Sequence, residues 1–126
     1  WIDYGEPGHS GWEDTGHAAL TMSMAVEAAR RGVIFTDEDI QRIANCWLRV
    51  MFNGDEDTPR MASHVDGSGE HRFSALQNDF SRLAQWDSRA YDLALRAFES
   101  LDESAKPRHA PLMLMVANRA GKLPQP

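Results

Sequence analysis

The segment 11–32, GWEDTGHAALTMSMAVEAARRG, constrains this chain more than any other. Ala18, Met22, Ala25, Val26 and Ala29 recur at helical spacing on one face, and Leu20, Met24 and Ala28 on a second. A helix this apolar leaves little surface for water and belongs in an interior. Thr15 or Asp14 can cap its first turn, Arg30 and Arg31 suit its negative end, and Gly32 can take the left-handed conformation that stops it. His17 then lies in the first turn, directly behind Trp12, Glu13 and Asp14. A titratable, aromatic cluster at the mouth of a buried helix is where helical scaffolds often carry sites.

The rest of the chain reads as further helices. Thr36 opens a second, with Asp37, Glu38 and Asp39 at its positive end, Phe35 stapling onto Ile40, and Asn53-Gly54 as its stop. Ser74 with Gln77 reads as a capping box for a third, Asp87 caps a fourth that Lys106-Pro107 ends, and Pro111 sits in the first turn of a fifth. The spacing predicts helices over 15–31, 37–52, 75–85, 88–102 and 111–120, with no strand. The expected fold is all-α, built from antiparallel αα-hairpins. Segment 53–73 has no period and is rich in Gly, Asp and Ser, a loop of a length that usually serves function or moves. If helices alternate in direction, the tight turns 33–36 and 85–87 share one end. Segments 1–14, 53–73 and 103–110, which with the first helix's opening turn hold all five histidines, share the other.

Composition narrows the classes. The chain has 126 residues, 42% of them hydrophobic, enough for one globular domain or part of one. Its net charge of −6 argues against general affinity for nucleic acid or an anionic membrane surface, and no apolar run approaches a membrane span. The single cysteine, Cys46, rules out an internal disulfide and reads as a small apolar residue rather than a nucleophile. The chain begins with Trp, so an earlier start and a parent larger than 1–126 are expected. The first helix is too apolar for four others to enclose, so self-association or packing on further helices of a parent chain is also expected.

W-E-D-x-x-H opening an apolar helix, G-x-x-F-T-x-E-D opening its partner and V-D-G-S-G in the following loop resemble a hairpin of an (α/α)-toroid carbohydrate-active enzyme, of the kind found in polysaccharide lyases and uronic-acid epimerases. The resemblance spans 11–101. It implies a piece of a catalytic domain acting on a polysaccharide or oligosaccharide by proton transfer, without a cofactor. The catalytic candidates are His17 as acid or base with Tyr4 or His64 as partner. Trp12 is the candidate sugar platform, and Glu13, Asp14 and Asp66 are candidates for binding substrate hydroxyls or orienting His17.

Each candidate has a plainer explanation. Loop aromatics beside a helix start more often plug the top of a core, which is the expectation favoured for Trp12. A first-turn His can simply bond a loop carbonyl, and acids at a helix N-terminus need no role beyond the dipole. A metal is the rival chemistry. Glu13 and His17 are four apart, and His9, His64 and Asp66 could complete a shell, but the spacing matches no standard signature. Asp55, Glu56 and Asp57 lack calcium-loop spacing and read as a solvated loop, and Asp66-Gly67-Ser68-Gly69 reads as a tight turn. A helical interaction module is the remaining class.

Overall fold

The structure is a computed structural model and describes residues 11–77 and 79–123. It is mainly α. Helix α1 spans Thr15–Arg30 and α2 spans Asp37–Cys46, running on into a π-helical turn at Trp47–Met51. Short strands β1 (Arg60–Met61) and β2 (Phe73–Ser74) pair antiparallel, and a 3₁₀ helix covers Phe80–Gln85. Helices α3 (Ser88–Glu99) and α4 (Lys106–Arg119) complete the order.

The punctuation of the first two helices follows the sequence. Asp14 caps α1. At the other end Gly32 stands at φ +66°, and Gly32 and Val33 donate to the carbonyls of Ala29 and Ala28. Thr36 and Asp39 form a reciprocal capping box: Thr36 N–H donates to the Asp39 carboxylate at 3.0 Å, and Asp39 N–H to the Thr36 hydroxyl at 3.2 Å. Thr15, the other cap candidate, is fully buried, and its hydroxyl donates to the Ala62 carbonyl at 2.6 Å.

Three expectations are corrected. The strand-free reading gives way to a small β1–β2 pairing, with Arg60 opposite Ser74 and Met61 opposite Phe73; two residues per strand are too few to write an alternating pattern. The expected helix over 75–85 begins only at Phe80. Gln77 does accept the Ser74 N–H at 2.8 Å, but this bond closes a turn, and Asp79 then takes a left-handed conformation at φ +58° that no helix can continue through. Lys106-Pro107 starts α4 instead of ending α3. A proline in a first turn has no helical hydrogen bond to lose, so it marks a beginning as readily as a stop, and Pro111 falls inside the helix.

A single apolar cluster joins all the helices. Met22 and Val26 of α1, Ile40 of α2, Leu83 of the 3₁₀ turn, Ala94 of α3 and Val116 of α4 are all closed to solvent. Trp47 stacks on Phe80, with ring centroids 5.2 Å apart and planes 11° from parallel. The tight connections meet as expected: Arg30 donates to Gln85 at 3.1 Å, and Trp86 Nε1 donates to Asp37 at 2.7 Å. The first helix is not enclosed on every side. Leu20 is 71% and Met24 58% exposed, on the face opposite Met22 and Val26.

Candidate functional site

At the opposite end of α1, the lead into the helix and the long loop are bonded to each other. Thr15 N–H donates to the Ser63 carbonyl at 2.9 Å, Val65 N–H donates to the Glu13 carbonyl at 3.1 Å, and Asp14 faces His64 across an antiparallel bridge. Residues bridged this way stand roughly 5 Å apart at their Cα atoms, so the Asp14-to-His17 turn and His64 share one rim. Thr15, through its hydroxyl bond to Ala62, locks the same join from inside.

Asp14 holds three donors. Its Oδ1 accepts the N–H of Gly16 at 2.9 Å and of His17 at 3.2 Å, and its Oδ2 meets Nδ1 of the His17 ring. Partial burial pushes the Asp14 carboxyl up, but the His17 side-chain bond, the two backbone N–H bonds and attraction to His17 outweigh it and hold the group below the usual carboxylate range. A carboxylate on Nδ1 selects the tautomer that carries the proton there. In the neutral ring that tautomer leaves the lone pair on Nε2, as a general base requires. The His17 side chain is 63% exposed.

His64 is held differently. Its Nδ1 is shut off from solvent and has no hydrogen-bond partner among the described residues. The turn that carries it is closed by the bonds from His64 N–H to the Ser68 carbonyl and from Gly67 N–H to the His64 carbonyl. Asp66 belongs to that turn. The Ser68 hydroxyl at 2.6 Å and the Ser68 N–H at 3.0 Å both bond it, and they depress its pKa, with His64 adding a smaller attraction. Both glycines of the D-G-S-G run are required. A side chain at Gly67 would meet the Val50 carbonyl oxygen at 2.5 Å, and one at Gly69 would stand 2.9 Å from Ser63 Cβ and 3.1 Å from His64 Nδ1.

The remaining candidates divide. Trp12 was expected to plug the core and instead is 51% exposed, while Glu13 is buried, with 4% of its surface exposed. Tyr4 and His9 lie outside the described residues. His71 is exposed and His109 half-buried in the first turn of α4, and no hydrogen bond ties either to His17 or His64 among the described residues. Among those residues no group of three or more His, Cys, Asp or Glu side chains is arranged to hold a metal. Cys46 is half-buried, its thiol donates to the Val65 carbonyl at 3.4 Å, and burial pushes its pKa up, all contrary to a nucleophile. Asp55 spends its carboxylate on the N–H groups of Asp57 and Thr58 within its own turn.

Ser63 did not stand out in the sequence and Gly69 stood there only as part of a tight turn, yet they frame His64. The Ser63 hydroxyl donates to the Glu70 carbonyl at 2.8 Å and draws the two sides of the turn together. The only hint was the close pair of glycines after an apolar-acidic step, a pattern that also marks any tight turn.

No family model, curated protein or solved structure matches the chain. None of the described helices is long and apolar enough to cross a membrane. The class defined by fold is therefore a mainly α protein with a His/carboxylate rim.

Proposed function

We propose that the chain is part of a carbohydrate-active enzyme domain, built of αα-hairpins of the toroid kind, that moves a proton on a polysaccharide or oligosaccharide in the manner of a lyase or epimerase. The observation that carries this reading is the Asp14–His17 pair, joined through the Asp14–His64 bridge to a second imidazole on the same rim. In this reading His17 Nε2 removes the proton from the sugar carbon next to a carboxylate. His64 or Tyr4 then either donates a proton to the departing glycosidic oxygen, leaving a double bond, or returns one to the opposite face of the carbon. The exposed indole of Trp12 supplies an apolar face for a sugar ring, and Asp66 a polar edge.

The test uses the intact protein and a panel of uronate-containing polysaccharides. Formation of an unsaturated product reports a lyase, and deuterium uptake from solvent reports an epimerase. His17→Ala is expected to lower turnover roughly 10²–10⁴-fold with helicity unchanged. Unchanged turnover, with stability lower by about 1 kcal/mol, would refute the catalytic role in favour of a local hydrogen bond.

A non-catalytic interaction module is the second reading, and the exposed Leu20 and Met24 on α1 favour it. Loss of self-association or of partner capture in Leu20→Glu, together with no activity on any polysaccharide in the panel, would select it.

A further inference from the structure

The short β pairing also presents a face directed away from the core. Side chains alternate along a strand, so while Met61 points inward and is fully buried, Arg60 and its cross-strand neighbour Ser74 point out. Arg72, two residues before Ser74, is the diagonal neighbour of Arg60 on that outer face, within reach of a long side chain. An Arg60 guanidinium nitrogen donates to the Arg72 backbone carbonyl at 3.4 Å, and the Arg72 guanidinium lies 5.0 Å over the Phe73 ring. Both arginines line one cavity of about 330 Å³ between the β pairing and the C-terminal part of α3.

The chemistry of this cavity is one-sided. Its floor includes the apolar Ala97 and Leu101, and its rim carries Arg60, Arg72, Ser74 and Gln77. Gln77 spends its carbonyl oxygen on the Ser74 N–H at 2.8 Å, which leaves its NH₂ group to donate elsewhere. No carboxylate lines the cavity among the described residues, although the chain carries 19 acids against 13 basic residues. Neither guanidinium is in an ion pair among those residues, whereas Arg31, Arg42, Arg82 and Arg96 each are. An anion in a cavity lined by both arginines and by no carboxylate would gain charge-assisted hydrogen bonds there.

We infer that this cavity is a binding site for a small polyol bearing a dianionic phosphate: the Arg60 and Arg72 guanidiniums take the phosphate, Ser74 and Gln77 take hydroxyls, and Ala97 and Leu101 pack under the carbon skeleton. A charge of −2 answers both guanidiniums, where a single carboxylate answers one. Guanidinium forks also match the oxygen spacing of phosphate. The site does not rest on the proton-transfer reading of the rim. Its residues lie at the β pairing, the turn after it and the end of α3, and none of them is a residue of the rim.

Calorimetric titration of the intact protein with glucose 6-phosphate, inorganic phosphate, glucuronate and glucose tests it. Glucose 6-phosphate should bind most tightly and inorganic phosphate more weakly, with glucuronate at least tenfold weaker than the phosphate ester and glucose silent. Arg60→Gln and Arg72→Gln should each weaken glucose 6-phosphate binding by tenfold or more; both side chains are exposed, and circular dichroism checks that the variants fold. As a measurement independent of any variant, the Ser74 and Gln77 amide resonances of the unaltered protein should shift on addition of glucose 6-phosphate. Absence of binding at millimolar ester, binding unchanged in both variants, shifts confined to other residues, or glucuronate binding as tightly as the ester would each overturn the proposal. None of these outcomes bears on the turnover of His17→Ala.

Discussion

Asp14 does two jobs with one carboxylate: it caps α1 through Oδ1 and orients His17 through Oδ2. A substitution there separates the tasks poorly, but pH separates them well. Because the folded state holds the Asp14 pKa below its ordinary value, its contribution to stability is complete above the unfolded pKa and is lost as pH falls through the folded one. Asp14→Ala should therefore cost about 1 kcal/mol near neutrality, the usual loss for an N-cap, with the deficit shrinking on the acid limb. Urea unfolding of both proteins from pH 7 down to pH 2 checks this, and a constant deficit would contradict it. Gly69 offers a second handle on the rim. Gly69→Ala places a methyl against Ser63 and His64 Nδ1 at a φ of +79°, so we expect turnover to fall together with stability, whereas Gly121→Ala, also at positive φ but with open space around it, should cost stability alone. Paired activity and melting measurements on these two variants test the distinction.

Among the elements, α1 and α2 were legible because their ends are written in short-range chemistry: Asp14, Gly32, and Thr36 with Asp39 all act within four residues of their targets. The segment from Ser74 to Gln85 was not, since the same Ser74–Gln77 bond serves a helix start or a turn, and the outcome depends on the left-handed Asp79. Lys106-Pro107 was ambiguous for a similar reason, proline being equally at home just after one helix and just inside the next. The π turn at Trp47–Met51 left no mark in the periodicity. It matters for the loop, because Ala62 N–H donates to the Met51 carbonyl at 2.8 Å and Gly67 packs on the Val50 carbonyl. Gly67→Ala cannot be absorbed by a flexible neighbour, since its methyl meets backbone. It should cost at least ~2 kcal/mol from the left-handed penalty and the clash combined, read as a clear drop in thermal midpoint. A wild-type midpoint in that variant would mean the loop does not rest on the π turn.

For the molecule as a whole, the excess of apolar surface foreseen from α1 takes the form of Leu20 and Met24 facing outward while its other face is closed into the core. Sedimentation velocity should show concentration-dependent association that Leu20→Glu with Met24→Lys abolishes; a wild-type protein that stays monomeric at high micromolar concentration would rule this out. Of the three long segments expected at one end, the lead into α1 and the loop after α2 do meet, as Thr15 with Ser63 shows, and Trp86 with Asp37 joins the tight connections. No hydrogen bond among the described residues ties 103–110 to that rim. What the pattern could not supply was the bonding between the two rim segments, because backbone partners across 48 positions leave no trace in residue spacing. That bonding also sets an order of events. The Thr15 and Val65 amides can be protected from exchange with solvent only after a chain length of roughly fifty residues has closed, an entropic cost that nearby helical turns do not bear. During refolding, helical signal should therefore return first and protection of these two amides last, so the two rim segments join only as the whole molecule becomes native, and a partly folded chain carries helices without that join.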